Sequence, residues 1–221
     1  MKNNTYRLVV ISLTITAALS GIWLGSSVET NNPTTINNTP PIQGAILPKA
    51  RGITGVLLHT VDNRQFTVSD LTGFWSIIFV GYTNCPDVCP NTLSVLNQVV
   101  ELMAEQNLTA PRVIFISIDP QRDKPELIDK YVKYFNKDFI GITGDASNLA
   151  SITKQMSVVY AKAPGLDGKL TEESYLMDHS SSLILLNPEG HVQSILSAPH
   201  TPMQIIDSII RTQVYYDNKS D

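Results

Sequence analysis

Cysteine is nearly missing from this chain: 221 residues carry two, Cys85 and Cys89. A disulfide between them would close a five-residue loop and remove almost no chain entropy, so the pair is poorly suited to stabilising a fold. Charge is also sparse. Asp, Glu, Lys and Arg make up 16%, with 16 basic against 20 acidic residues and a net charge of -4. The scattered lysines leave no basic footprint for nucleic acid. There is no Gly-rich phosphate loop, no internal repeat and no readable Ser/His/Asp set. Apolar residues still make up 43%, which excludes a disordered chain and allows one good core.

One long stretch lacks charge altogether. Residues 8–24, LVVISLTITAALSGIWL, follow Lys2 and Arg7, and the next basic residue is Lys49. That asymmetry predicts a cytoplasmic N-terminus and an exported body. Residues 1–25 are read as a membrane anchor, short but adequate, with a cleaved signal as the competing reading. Trp23 suits an interfacial position. No cysteine follows the run closely, against a lipoprotein, and there is no long Arg- and Ser-rich presequence. A single-pass protein of the bacterial inner membrane, with its domain in the periplasm, is the expected layout. Residues 26–50, rich in Asn, Thr and Pro, read as a flexible tether. Residues 51–221 form the expected domain.

Within that domain, 75–82 and 113–118 are apolar runs of strand length. Residues 91–106 have helical periodicity, with Leu93, Leu96, Val99, Val100 and Met103 on one face. Residues 123–136 read as a helix with Leu127, Ile128, Tyr131 and Phe135 inward, and 146–156 as another. Short strands are expected around the turn 61–63. Residues 182–186, the turn Asn187-Pro188-Glu189-Gly190 and 191–196 give a strand–turn–strand signal. Residues 202–215 read as a closing amphipathic helix. This order predicts an α/β, thioredoxin-like fold: a central mixed sheet flanked by helices. It puts Cys85-Pro86-Asp87-Val88-Cys89-Pro90 at the carboxyl end of the first central strand, where such folds keep their chemistry.

Both cysteines precede a proline, which biases each away from helical geometry. Pro90 then becomes the first helical residue, and Cys89, next to the helix N-terminus, is expected to be the more easily ionised thiol. Of four histidines, His179 precedes a buried strand that can pass the cysteine loop; His59, His191 and His200 have no such setting. Two thiolates and an imidazole suit copper, as Cu(I) or Cu(II). Zinc usually takes four ligands in a closed site. Asp178 is a candidate to orient the ring or a neighbouring loop. Met177 is read as core, and Asp119-Pro120-Gln121-Arg122-Asp123 as a structural loop in which Asp119 can pair with Arg122 and Asp123 can cap a helix.

Four motifs in order complete the pattern: Tyr82-Thr83-Asn84-Cys85-Pro86-Asp87-Val88-Cys89-Pro90, Asp119 to Asp123, Gly141-Ile142-Thr143-Gly144 and Tyr175-Leu176-Met177-Asp178-His179-Ser180. The chain resembles the SCO/SenC family of copper-binding assembly proteins over about residues 50–215. The resemblance implies copper ligation by Cys85, Cys89 and His179, with Asp178 in support. It also implies copper delivery to the binuclear site of cytochrome c oxidase subunit II, or reduction of that site's cysteines. A periplasmic copper donor and a thiol reductase are the further partners expected. A membrane-anchored thiol–disulfide oxidoreductase is the competing function. A peroxidase fits the two prolines poorly.

Overall fold

The structure, a computed structural model, describes residues 39–220. The anchor expected over residues 1–25, and the tether up to residue 38, lie outside the described residues. Among those described, no helix is long and apolar enough to cross a membrane.

Strand β4 (Ser76–Gly81) is buried at every position, as its apolar run requires. It pairs in parallel with β5 (Arg112–Ser117), which pairs in parallel with β6 (Ile140–Ile142). On its other side β4 pairs antiparallel with β9 (Leu183–Leu186), and β9 with β10 (Val192–Leu196). Strand β1 (Gly44–Arg51) pairs antiparallel with β10, giving the order β1-β10-β9-β4-β5-β6. The mixed sheet and its flanking helices are those expected. The edge strand β1 is not: residues 44–50 fall within the stretch expected to be tether, yet they form a strand. Their alternation is weak because only Ile46 is fully buried, so the period-two signal of a half-buried strand is missing.

Two small hairpins lie outside the main sheet. One joins β2 (Leu57–His59) to β3 (Gln65–Thr67). The other joins β7 (Tyr160–Pro164) to β8 (Tyr175–His179). The second carries His179 at its end.

Four helices complete the domain. In α1 (Val88–Glu105), Leu93, Leu96, Val99 and Met103 are buried, following the helical period. Pro125 at the first turn fits the start of α2 (Pro125–Phe135). There Leu127 is 45% exposed rather than inward, while Ile128 is fully buried. Asp145 caps α3 (Ala146–Gln155), accepting from the Asn148 backbone N–H at 2.8 Å. Helix α4 (Pro202–Ser220) packs on α1 and β10, and α2 packs on β6 and α1. Phe79, Phe115, Leu93 and Leu96 meet in the core just behind the cysteine loop.

Candidate metal centre

Strand β4 ends at Gly81, and the chain turns through Tyr82 to Cys85 before entering α1. Helix α1 begins at Val88, so Cys89 lies inside its first turn and Pro90 is its third residue. The expected exclusion of Cys89 from the helix does not hold. Two gains outweigh the bias of a residue before proline. Cys89 is fully buried, and its N–H donates to the Cys85 sulfur at 3.3 Å. Pro90 costs little there, because first-turn N–H groups have no helical partner.

Consequently Cys85, four residues ahead, acts as the acceptor at the helix N-terminus. The backbone N–H groups of Asp87 and Cys89 and the Cys89 thiol all hydrogen-bond its sulfur, and the His179 ring lies beside it. The Cys89 thiol contributes most, and together they bring the Cys85 pKa down to about 4 against the opposing effect of burial. Cys89 moves the other way. Sharing its proton with Cys85, and being buried, it is held protonated despite an N–H donated by Tyr82. The expectation that Cys89 is the more easily ionised thiol is therefore reversed. The helix dipole acts on whichever sulfur faces the end of the helix from outside, and that sulfur is Cys85. Both thiols are free.

His179 reaches this pair from 90 residues away. Its Nε2 lies 3.7 Å from the Cys89 sulfur. Its Nδ1 is 3.1 Å from the Ser180 carbonyl. A carbonyl only accepts, so Nδ1 carries the proton and the Nε2 lone pair faces the sulfurs. The ring is held edge-on by Phe79 at 6.2 Å and Tyr82 at 6.3 Å. Asp178, by contrast, is exposed, and the ring's second nitrogen is occupied by the Ser180 carbonyl.

The donor atoms of Cys85, Cys89 and His179 lie within 4.8 Å of one another, and among the described residues no other His, Cys, Asp or Glu joins them. A three-coordinate ion with bonds of about 2.0–2.3 Å needs donors roughly 3.5–4.0 Å apart. The observed spacing is close to that without rearranging the backbone. The set sits in a groove of about 180 Å³ lined by Tyr82, Cys85, Pro86, Asp87, Val88 and the strand Leu176–His179. Met177 is buried in the core and also borders this groove. Two soft sulfurs and one imidazole, open to solvent on the Cys85 side, fit a soft metal held for exchange rather than a closed structural site.

The remaining histidines stay apart from this cluster. His59 joins Thr143 through backbone hydrogen bonds, His191 faces Glu189 at 3.2 Å, and His200 Nε2 donates to the Ser181 carbonyl at 2.7 Å. One residue that shapes the site gave no chemical signal in the sequence. A Cβ at Gly81 would lie 2.7 Å from the Cys89 sulfur and 2.8 Å from the Phe115 ring, so only glycine leaves room for Cys89. The loop Asp119–Asp123 also does more than expected. Asp119 does pair with Arg122, but Asp123 does not cap α2: Lys124 takes that position. The Asp123 carboxylate instead accepts from the Thr83 N–H, the Thr83 hydroxyl and the Ser117 hydroxyl.

Comparison with known proteins agrees with this geometry. The family profile SCO1/SenC matches residues 56–213. The bovine (Bos taurus) protein SCO2 homolog, mitochondrial, is 32% identical over 206 residues, covering 93% of this chain and 74% of that protein. A putative copper-binding protein of Stutzerimonas stutzeri is 31% identical over 154 residues, covering 70% and 73% respectively. The crystal structure of Arabidopsis thaliana ScoI with copper bound superposes with a TM-score of 0.67 at 30% identity, over 75% of this chain and 100% of that one. The fold, the Cys/Cys/His cluster and these similarities together establish that the chain belongs to the SCO1/SenC family.

Proposed function

We propose that this protein is a copper metallochaperone. It binds one copper ion through Cys85 Sγ, Cys89 Sγ and His179 Nε2, and passes it to the binuclear copper site of cytochrome c oxidase subunit II. The observation that carries this reading is the convergence of three soft-donor atoms within 4.8 Å, with the histidine tautomer fixed so that Nε2 faces the sulfurs. Copper is cargo here. Cys85 borders the groove and Cys89 lies beneath it, so an incoming thiolate or imidazole of the acceptor approaches from the Cys85 side. Ligands then exchange one at a time, and the ion does not become free. Asp178, exposed at the rim of the groove beside His179, is the supporting residue of the site.

Binding requires both thiols reduced, which in an oxidising compartment calls for a thiol reductase as well as a copper donor. A bacterial inner-membrane location belongs to the same reading, with residues 8–24 as a single span and the domain in the periplasm. The basic residues Lys2 and Arg7 ahead of the run support it.

A second reading is favoured by the asymmetry of the two thiols. An ionised, accessible Cys85 above a protonated, buried Cys89 is the polarity of a thiol–disulfide reductase. The Cys85 thiolate would attack a disulfide of the copper-site protein and release one of its thiols. Cys89 would then lose its proton, displace the second thiol and leave a Cys85–Cys89 disulfide for the reductase partner.

Anaerobic titration with Cu(I) against a competing chelator separates the two. The copper reading expects one tightly held ion per reduced wild-type chain and at least about a tenfold loss in His179→Ala, which removes one of three ligands. Weak binding, or binding indifferent to His179, would shift the function to the dithiol alone.

A further inference from the structure

The two halves of the donor set come from distant stretches of chain. The sulfurs belong to the turn 82–89, and the imidazole belongs to β8. Their separation must be fixed by whatever touches both. Among the described residues, one five-residue loop does so with each of its charged side chains.

Asp123 holds the cysteine side. Its carboxylate, 1% exposed, accepts from the Thr83 backbone N–H at 2.8 Å and the Thr83 hydroxyl at 2.5 Å. It also accepts from the Ser117 hydroxyl at 2.5 Å. Thr83 is two residues from Cys85, so the turn is pinned to the end of β5. Asp119 and Arg122 hold the histidine side. Arg122 Nη1 donates to the Tyr175 carbonyl at 2.9 Å, and the guanidinium stacks 3.6 Å from the centre of the Tyr175 ring. The Tyr175 hydroxyl donates to Asp119 at 2.7 Å, while Asp119 also accepts from Arg122 Nε. Tyr175 begins β8, the strand that ends in His179.

Arg122 also faces the cysteine side, lying 5.7 Å from the Tyr82 ring. Tyr82 in turn takes the Met177 N–H on its hydroxyl oxygen and sets its ring edge-on to His179. A buried carboxylate with three donors, and a guanidinium bonded through Nε and Nη1 and stacked on the Tyr175 ring, are stiff elements, because moving either breaks several buried contacts at once.

We propose that the loop Asp119–Asp123 sets the distance between the sulfur pair and the His179 ring, with Arg122 and Asp123 as positioning residues for metal binding. The inference rests on the copper reading for its function but not for its geometry. Groups that orient ligands from behind typically change metal affinity by about 10–100-fold when removed. The loop differs from general scaffolding in acting through the histidine, and that makes it testable.

The experiment is a double-mutant cycle in the full-length reduced protein, read by Cu(I) competition. Arg122→Met is made in the wild-type and His179→Ala backgrounds, and Tyr175→Phe serves as a milder second variant. The expected result is about a tenfold or greater loss for Arg122→Met with His179 present, and less than about threefold without it. An equal loss in both backgrounds, or none in either, overturns the proposal. A copper-free signal is recorded alongside, namely the imidazole nitrogen resonances of His179 in wild type, Arg122→Met and Tyr175→Phe. Resonances that shift in a variant whose melting midpoint is close to wild type support the positioning role; resonances unmoved in both overturn it. Should wild type fail to bind copper, the proposed function falls, and the imidazole spectra alone decide the positioning.

Discussion

Gly81→Ala is a one-methyl change whose consequences follow directly from the site. The backbone of Gly81 is ordinary strand, so the substitution introduces no conformational strain. The added carbon would sit 2.7 Å from the Cys89 sulfur and 2.8 Å from the Phe115 ring. Normal contact lies near 3.5–4.0 Å, so each neighbour must retreat by about 1 Å. Phe115 is packed against Phe79 and Tyr131 and is fully buried, which leaves it little room. Cys89, at the first turn of a helix, gives way more easily. Overpacking of this kind costs about 1–3 kcal/mol, measurable by urea denaturation. The sulfur shift separates Cys89 from His179 Nε2, now 3.7 Å away, and Cu(I) affinity should fall by at least about tenfold, as for other disturbances of ligand orientation. The control is Cys89→Ala. Without the sulfur, the new methyl meets Phe115 alone, and the stability cost of Gly81→Ala should drop by roughly half or more. An identical cost in both backgrounds would refute the claim that Gly81 exists to admit the Cys89 sulfur.

Two further outcomes follow from the thiol pair and one from a helix cap. Cys85, with a pKa of about 4 against an ordinary 9.0, is already ionised at pH 6, where an ordinary thiol is ionised about one part in a thousand. Lower intrinsic nucleophilicity takes back about 100–300-fold. Iodoacetamide should therefore modify Cys85 about 3–10 times faster than a free thiol at pH 6, at a rate nearly flat to pH 9; a rate that climbs with pH like an ordinary thiol refutes the assignment. Stability should follow the same protons. The depressed Cys85 contributes fully above 9.0 and loses its contribution as pH falls through about 4, while the raised Cys89 contributes below 9.0 and loses it above. The pair's combined contribution therefore peaks near pH 9, and Cys85→Ser should flatten that part of a melting-temperature profile. Asp145→Ala should lower the melting midpoint through loss of the cap on α3, with copper affinity unchanged.

What could be read from the sequence depended on how local the signal was. Strands β4 and β5 announce themselves because burial on both faces makes them continuous apolar runs. Cys85 and Cys89 are visible because cysteine is rare in this chain and these two stand only four positions apart. His179 was found because it precedes a buried strand. Strand β1 was not legible, because an edge strand with one buried residue has no pattern to show. The hairpin β7–β8 was missed for a related reason: several of its side chains are exposed and its partner is not the main sheet. The reversal of the two thiols has a different origin. Sequence places Cys89 nearer the helix start, but ionisation depends on direction: Cys85 receives N–H groups from outside the helix end, while Cys89 turns inward beneath it.

Gly81 and Asp123 show the same limit. Neither is among the three clustered donors, and both act on residues that the sequence gives no reason to set beside them. Asp123 in particular precedes a helix and has the residue type of a cap. Its carboxylate instead faces inward to Thr83 and Ser117, where three donors arrive at once. A cap satisfies one or two N–H groups at a solvated helix end and contributes about 1 kcal/mol. A buried carboxylate with three donors would leave several buried polar groups unpaired if it turned away, and each of those costs about 1–3 kcal/mol. The inward arrangement wins on that comparison. The residue that sequence reasoning assigns to the helix therefore belongs to the cysteine turn, and through it to the metal centre.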